Sequence, residues 1–210
     1  MATVPDRTIS STDPQPAWDV ALLYPNQGEW SEGEYLGLDT NRLVELIDGN
    51  LEVLPMPTIV HQLIVEFLFD VLRGFVKSQN LGKVFFAPLP LFIRTKTFRE
   101  PDIIFISKET GVQPTDKCLR EASLVMEIVS ADDKSHKRDY QEKRADYAQL
   151  GVPEYWIVDP QQQQITVLAL ESGQYNIHGE FVLGEQATSK LLPGFVADVS
   201  AVFAAGQNLS

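Results

Sequence analysis

One apolar run in the sequence, residues 124–129, contains a single carboxylate, Glu127. Side chains alternate between the two faces of a β-strand, and here both sets of alternating positions are otherwise apolar. A strand of this kind is covered by protein on both faces. The run therefore predicts a sheet with helices on both sides, and it places Glu127 in a dry layer.

Two further acids interrupt apolar runs. Asp102 follows the proline that begins the run 101–106, where water can reach it, and Glu45 lies within another apolar segment. An ionised carboxylate among apolar side chains is costly unless it is hydrogen-bonded, paired with a cation or bound to a metal. One alternative is therefore structural, with the acids capping backbone amides or paired with Arg94 or Arg99. The other alternative is a shared divalent cation.

The 210-residue chain is 44% hydrophobic, which is enough for a sizeable core, and we expect one domain over residues 21–210. The aperiodic, proline-containing residues 1–20 predict a flexible N-terminal tail. A single cysteine, Cys118, excludes an intramolecular disulfide and is typical of a reducing compartment. Because no apolar run is long enough to cross a bilayer, we expect a cytoplasmic protein without a membrane segment.

The net charge of −12 and the pI near 4.6 make the chain strongly acidic. Non-specific DNA affinity comes mainly from neutralisation of phosphates by lysine and arginine, so broad electrostatic coating of nucleic acid is disfavoured. A small cationic groove remains compatible with this charge. So does a carboxylate site in which metal ions offset the acids before a polyanion enters.

Periodicity and turn signals predict the remaining elements. Apolar positions recur at helical spacing over residues 59–79, and a second helix is predicted over 137–150, where Gly151 supplies a stop signal. The Asp-Gly-Asn sequence at 48–50 is a hairpin turn signal. Strands are predicted over 42–47, 51–54, 82–90, 91–94, 154–159 and 165–170, with a capping box at 31–34 and a short helix near 199–204. This order predicts a mixed α/β architecture around one sheet.

Carboxylates that converge on one point form a hard oxygen site, which suits Mg²⁺ or Mn²⁺. Asp102, Glu127 and Glu45 are the candidates for such a site. Zinc is disfavoured, because one cysteine and three histidines show no paired ligand spacing. His61, near the start of the first long helix, either caps the helix or forms a local hydrogen bond. In a metal site it would instead orient a water or contact a phosphate.

Lys143 is the candidate cation. It shares one helical stripe with Tyr140, Tyr147 and Leu150, which predicts that this face of the helix packs against the sheet. The alternative is a solvent-exposed pair between Lys143 and Asp139, which precedes it by one helical turn.

Several short motifs occur together in a fixed order. They are Glu-Leu-Ile-Asp-Gly at 45–49, His61, Pro101-Asp102, Glu127-Ile128-Val129-Ser130, Asp139-x3-Lys143-x3-Tyr147 and the stretch 151–159. In the order and spacing of these motifs, residues 31–204 resemble the bacterial "putative restriction endonuclease" family, a branch of the PD-(D/E)XK nuclease superfamily. The resemblance implies a restriction-endonuclease-like α/β fold, with a mixed central sheet flanked by helices.

The resemblance also implies an activity, the Mg²⁺- or Mn²⁺-dependent hydrolysis of phosphodiester bonds in DNA. Asp102 and Glu127 would bind the metal, with Glu45 as an additional acidic ligand. Lys143 and His61 would join Asp102 and Glu127 as catalytic residues. Because a double-strand cut needs two sites, a homodimer is expected by analogy.

Val129 marks a departure from the superfamily pattern, which has a lysine two residues after the second acid. Lys143 is the substitute that the resemblance suggests, since its long side chain can bring the ammonium group to the same point. Lys134 is the alternative. The departure and the acidic charge also leave open a degenerate nuclease fold that binds nucleic acid or protein without cutting. A purely structural or oligomerisation domain is the third hypothesis.

Overall fold

The computed structural model describes residues 24–40, 42–110 and 117–207, so the tail predicted over 1–20 lies outside the described residues. The helices are α1 (Glu32–Leu36), α2 (Ile59–Ser78), α3 (Asp133–Lys137), a π-helix (Arg138–Glu142), α4 (Lys143–Leu150) and α5 (Val199–Ala205). The strands are β1 (Val44–Ile47), β2 (Asn50–Val53), β3 (Gly82–Phe86), β4 (Leu91–Arg94), β5 (Thr97–Arg99), β6 (Ile103–Ser107), β7 (Leu124–Ile128), β8 (Glu154–Asp159), β9 (Gln164–Glu171), β10 (Gln174–Val182), β11 (Gln186–Thr188) and β12 (Val196–Asp198). Within these ranges, no helix is both long and apolar enough to cross a membrane.

Six strands form the central sheet, in the order β10-β9-β8-β7-β6-β3. The β7–β8 pair is parallel and the other neighbouring pairs are antiparallel, so the sheet is mixed. Helix α2 packs on one face, and α4 contributes to the apolar cluster on the other. The mixed central sheet with flanking helices that the sequence predicts is therefore confirmed.

Alternate residues of β7 enter two different cores. Met126 packs with Leu68 of α2 and Trp156 of β8 on one face of the sheet. Val125 packs with Tyr147 of α4 on the other face. Burial of each such side chain contributes roughly 1.5–3 kcal/mol, and this is the reason why β7 is apolar on both faces.

A second sheet of four strands, in the order β2-β1-β5-β4, lies beside the central one. Its β1–β2 hairpin turns at Asp48 and Gly49, which have φ values of 48° and 80°, so the predicted hairpin is confirmed. A Cβ atom on Gly49 would lie 2.5 Å from the carbonyl oxygen of Gly28, so glycine alone fits there. Strands β11 and β12 form a small third sheet.

The connection between β3 and β6 differs from the sequence-based prediction. Strand β3 ends at Phe86 instead of continuing to 90, because Pro88 and Pro90 cannot donate ladder hydrogen bonds. Strand β5 is not predicted at all. Its turn places Lys96 at a φ of 57° without the glycine or asparagine that usually signals such a turn.

The second predicted helix begins earlier than the expected start at 137. The side chain of Asp132 accepts a hydrogen bond of 2.9 Å from the backbone N of Ser135, which caps α3. A π-helix over Arg138–Glu142 then connects α3 to α4. Gly151 ends α4 with a φ of 85°, which confirms the predicted stop signal.

Candidate active site

Asp102 and Glu127 lie beside each other on neighbouring strands. The antiparallel pairing of Ile103 with Met126 continues outward to these two positions, so both side chains project from the same face of the sheet. Atom Oδ2 of Asp102 accepts a hydrogen bond of 2.8 Å from the backbone N of Ile128. The side chain of Asp102 is 13% exposed and that of Glu127 is 4% exposed, so water reaches the first acid and hardly reaches the second.

The ammonium group of Lys143 reaches the same point from α4. Its Nζ atom lies 2.8 Å from Oε1 of Glu127, 3.5 Å from Oε1 of Glu45 and 3.6 Å from Oδ1 of Asp139. The side chain is 3% exposed, so the alternative of a solvent-exposed pair with Asp139 is wrong. Lys134, the other lysine considered, is exposed and faces a glutamate of β2 instead.

The acids around Lys143 keep it charged. Burial by itself lowers the pKa of a lysine, because the charged form loses its hydration. Glu127, Glu45 and Asp139 outweigh burial and raise the pKa of Lys143 well above its ordinary value. The site therefore contains a permanently charged, buried donor at neutral pH.

Glu127 shares one oxygen between two donors. Its Oε1 atom contacts Lys143 and also accepts a hydrogen bond of 2.5 Å from the hydroxyl of Tyr147. Burial raises the pKa of Glu127 to about 8, an effect that Lys143 opposes and that the negative charges of Asp102 and Asp139 reinforce. A cation bound beside Glu127 would therefore favour its ionised form.

Glu45 is fully buried, and both of its oxygens already have partners. Oε2 lies 2.7 Å from Nη1 of Arg99, while Oε1 accepts a hydrogen bond of 3.1 Å from the backbone N of Glu100 and faces Lys143. Burial alone would raise the pKa of Glu45, but Lys143 and Arg99 lower it to about 2. The carboxylate is therefore ionised and held between two cations.

Arg94 of β4 and Arg99 of β5 pair with acids other than Asp102 and Glu127. Arg99 also bonds to Asp146 of α4 at 2.7 Å, and Arg94 bonds to Asp146 at 2.6 Å and to Asp48 at 3.2 Å. Neither guanidinium pairs with Asp102 or Glu127. The hypothesis that Arg94 or Arg99 neutralises those two acids is therefore wrong.

His61 faces Asp102 from the first turn of α2. Atom Nε2 of His61 lies 3.2 Å from Oδ2 of Asp102. The N-cap of the helix is Thr58, whose hydroxyl accepts a hydrogen bond from the backbone N of His61. Burial lowers the pKa of His61, but the negative charge of Asp102 outweighs it, and the net shift is upward. His61 is therefore a hydrogen-bonding residue of the site and not the helix cap.

Asp102, Glu127, Lys143 and His61 line a small cleft with a volume of about 30 Å³, whereas Glu45 does not line it. At roughly 10–15 Å³ for each water, this volume holds about two waters. Two buried polar atoms at the cleft have no hydrogen-bond partner among the described residues, Nδ1 of His61 and Oε2 of Glu100. Such unpaired atoms are rare in folded proteins and call for a water, an ion or a ligand.

The donor set of the cleft suits a hard divalent cation. One oxygen of each strand acid, Oδ1 of Asp102 and Oε2 of Glu127, accepts no hydrogen bond from the described residues. Within the described ranges, no group of three acidic, histidine or cysteine side chains is arranged to hold a metal ion. Mg²⁺ does not need three protein ligands, because it is usually held by one or two carboxylates and keeps several waters. Asp102 and Glu127 therefore fit Mg²⁺ or Mn²⁺.

Four other residues line or support this cleft without a predicted role. Asp139 and Tyr147 lie one helical turn to either side of Lys143, as the motif Asp139-x3-Lys143-x3-Tyr147 indicates, but the motif assigns them no part in binding Lys143 or Glu127. Arg138 is buried beside Asp139 with its guanidinium on Ser135, and no periodic signal marks it. Glu100 precedes the apolar run of β6 and likewise leaves no signal.

The architecture is similar to a solved structure. That structure is described as a "putative nuclease belonging to DUF820 from Anabaena variabilis ATCC 29413". The TM-score is 0.67 and the identity is 19%, and the match covers 84% of this chain and 98% of that chain. At this identity the likeness shows the fold alone. Among proteins with curated descriptions, none matches this sequence.

A family model described as "Uma2: Putative restriction endonuclease" matches residues 32–200. That range includes both strand acids, Lys143, His61 and Glu45. It corresponds closely to the range over which the sequence motifs resemble the restriction endonuclease branch, so that resemblance is confirmed. The chain belongs to the Uma2 family of "putative restriction endonucleases".

Proposed function

We propose that this protein is a divalent-cation-dependent endonuclease that hydrolyses phosphodiester bonds in DNA. The observation that carries the proposal is the position of Lys143, whose Nζ atom lies 2.8 Å from Glu127 although β7 itself has Val129 in place of a lysine. Family membership and the nuclease fold support a nuclease in general. Metal dependence and DNA as the substrate are our proposals.

In this proposal Asp102 and Glu127 would hold Mg²⁺ or Mn²⁺. When bound, the cation would lower the pKa of a coordinated water and offset the negative charge of the scissile phosphate. Tyr147 and Lys143 fix one oxygen of Glu127, and the backbone N of Ile128 fixes one oxygen of Asp102. The second oxygen of each acid is thereby presented to the cleft.

Lys143 would act on the reacting atoms directly. As a charged donor in a cleft that nearly excludes water, it would orient the attacking water and stabilise the negative charge that develops on the phosphoryl oxygens. The water oxygen forms a bond to phosphorus, the bond from phosphorus to the leaving sugar oxygen breaks, and the proton that the water loses is balanced by the proton that the sugar oxygen takes up. Because the ammonium stays protonated, Lys143 is a charge stabiliser and not the base.

His61 would accept or relay that proton. Its Nε2 atom contacts Asp102, and its Nδ1 atom is buried and has no hydrogen-bond partner among the described residues. An imidazole held in this way can bond to a water or to a phosphate oxygen in the cleft. Glu45 is best placed to position Lys143, since Arg99 and the backbone of Glu100 already engage its two oxygens.

Nicking of supercoiled plasmid tests the proposal. Wild-type protein should nick DNA with Mg²⁺ or Mn²⁺ and lose this activity in EDTA, and Glu127→Ala should abolish it. Lys134→Ala is the matched control, because Lys134 is exposed and its one salt bridge among the described residues is with Glu52. Metal-dependent cleavage that survives Glu127→Ala would overturn the site assignment.

The alternative of a degenerate fold that binds without cutting rests on Val129 and the acidic charge. Lys143 supplies the missing ammonium group, which weakens the first of these arguments. Calorimetry separates the two hypotheses, since a degenerate site predicts no Mg²⁺ binding that depends on Asp102 and Glu127. The expected homodimer is tested separately, by light scattering of the purified protein with and without DNA.

A further inference from the structure

A second and larger cavity, of about 390 Å³, lies next to the catalytic cleft. The two share Leu43 and Glu100 as common walls. A volume of this size is within the range of small-molecule binding pockets, whereas the cleft itself has room for about two waters. Part of a substrate whose reacting atoms occupy the cleft could therefore extend into the neighbouring cavity.

Glu100 provides an unsatisfied acceptor in the wall between these two spaces. Its Oε1 atom lies 3.4 Å from the hydroxyl of Tyr35, whereas Oε2 is buried and has no hydrogen-bond partner among the described residues. Asp102 and Glu127, the proposed metal ligands, project into the cleft and not into the larger cavity. The chemistry that would satisfy Oε2 is an N–H or O–H donor carried by a ligand.

Two cations also line the cavity. Arg42 and Lys117 are both exposed, and within the described residues neither side chain forms a salt bridge or a side-chain hydrogen bond. Most other basic side chains near the cleft already have acidic partners, as Arg94, Arg99 and Lys143 do. On a protein with a net charge of −12, two cations beside the cleft that have no acidic partner among the described residues are suited to phosphate groups.

We propose that this cavity, the base pocket, binds one unpaired nucleobase of the substrate strand next to the scissile phosphate. Glu100 would accept a hydrogen bond from an exocyclic amino group of that base, and Arg42 and Lys117 would contact the flanking phosphates. The inference rests on the proposed nuclease function and adds a substrate class to it. A base in the pocket must be unstacked, so the substrate would be single-stranded or locally opened.

A base fits this chemistry better than a phosphate does. A phosphate inside the pocket would face the Glu100 carboxylate, whereas cytosine, adenine and guanine carry amino groups that can donate to it. Thymine has no exocyclic amino group, and its one ring donor, N3–H, lies between two carbonyl oxygens that the carboxylate repels. Thymine would therefore satisfy Oε2 of Glu100 less well than cytosine does. The base pocket therefore predicts discrimination against thymine at one position beside the cut.

Fluorescence polarisation with labelled single-stranded oligonucleotides tests this inference. The probes are cytidine-only and thymidine-only oligodeoxynucleotides of about 12 nucleotides, with Ca²⁺ as the hard cation and a buffer of about pH 8.5. We expect wild-type protein to prefer the cytidine probe by about fivefold to tenfold, the difference that one ordinary hydrogen bond makes. Glu100→Gln should reduce the preference to near one, because an amide can also donate to thymine.

Variants of the exposed residues Arg42 and Lys117 test the inference without altering a buried side chain, so they do not depend on how well Glu100→Gln folds. Arg42→Ala and Lys117→Ala should each weaken binding of both probes by a similar factor. Lys77→Ala, which removes an exposed lysine from the far end of α2, should leave binding unchanged. Equal affinity of wild-type protein for the two probes, absence of binding, or a preference that survives Glu100→Gln would overturn the base pocket.

Plasmid nicking, run in parallel, separates failure of the base pocket from failure of the proposed function. If wild-type protein nicks plasmid but shows no base preference, the base pocket is wrong and the nuclease proposal stands. If a Glu100-dependent preference occurs without any nicking, the pocket stands and the nuclease proposal is wrong.

Discussion

Lys143 of α4 and Glu127 of β7 form a buried ion pair of 2.8 Å, which places an ammonium group where the strand itself has Val129. Helix α4 therefore places a positive charge beside Glu127, where β7 has no lysine. Three acidic side chains surround Lys143, of which Glu45 also pairs with Arg99 and Asp139 with Arg138. These charge pairs determine how several variants should behave.

Replacement of Lys143 by methionine should lower the nicking rate by about 10²–10³-fold, the magnitude seen when one preorganised transition-state donor is removed. Methionine fills a similar volume but cannot stabilise charge on phosphorus. Lys134→Met is the matched control and should cut at the wild-type rate, because that lysine lies on the surface. Nicking by Lys143→Met at the wild-type rate would assign the charge-stabilising role to another group.

Bound Mg²⁺ should stabilise the fold through Asp102 and Glu127. At a concentration ten times the Kd, a single site adds about 1.4 kcal/mol to the free energy of unfolding. For a domain of this size, that corresponds to a rise in Tm of about 3–6 °C. Differential scanning fluorimetry should show this rise for wild-type protein and none for Asp102→Asn. Equal Mg²⁺-induced shifts in the two proteins would exclude Asp102 as a ligand.

Glu45 should influence catalysis through Lys143 and not through the metal. Glu45→Gln removes the charge that Arg99 and Lys143 share, and breaking such a buried pair costs about 3–5 kcal/mol of stability. We expect kcat to fall while the Kd for Mg²⁺, measured by calorimetry, stays at the wild-type value. A weakened Kd would instead support the sequence-based prediction that Glu45 is a metal ligand.

The sequence predicts the acids and the lysine because each breaks a regular pattern. Glu127 and Asp102 interrupt apolar strands, and Lys143 lies on an apolar helical stripe. At each of these positions the pattern predicts a buried side chain, but the residue is charged. The partners that resolve the conflict come from elements far apart in the chain. Arg99 reaches Glu45 only because β5 pairs with β1, and local patterns do not report such long-range pairing.

Two further features have no sequence signature. A π-helix over residues 138–142 precedes Lys143, although nothing in that segment distinguishes it from an ordinary α-helix. Glu100 looks like a surface acid in sequence, yet one of its oxygens is buried and has no hydrogen-bond partner in the described part of the chain. Both depend on how the helix and the four-stranded sheet pack around the cleft, which is a property of the folded chain.

Glu100 should make the stability of the metal-free protein depend on pH between about 4.5 and 7. Burial, reinforced by the negative charge of Glu45, raises the pKa of Glu100 from 4.5 to about 7. The folded protein therefore binds this proton more tightly than the unfolded chain does. The stabilisation from the protonated group is complete below pH 4.5 and is lost as the pH rises through 7.

Glu100→Gln should remove this contribution. Urea denaturation in EDTA should show similar stabilities for variant and wild type near pH 4.5. Near pH 8 the variant should be more stable by on the order of 2 kcal/mol, a value that allows for partial solvent exposure of the side chain. The other carboxylates titrate in both proteins, so the difference between the two curves isolates residue 100. A difference that is constant across this pH range would mean that Glu100 titrates at its ordinary value in the folded protein.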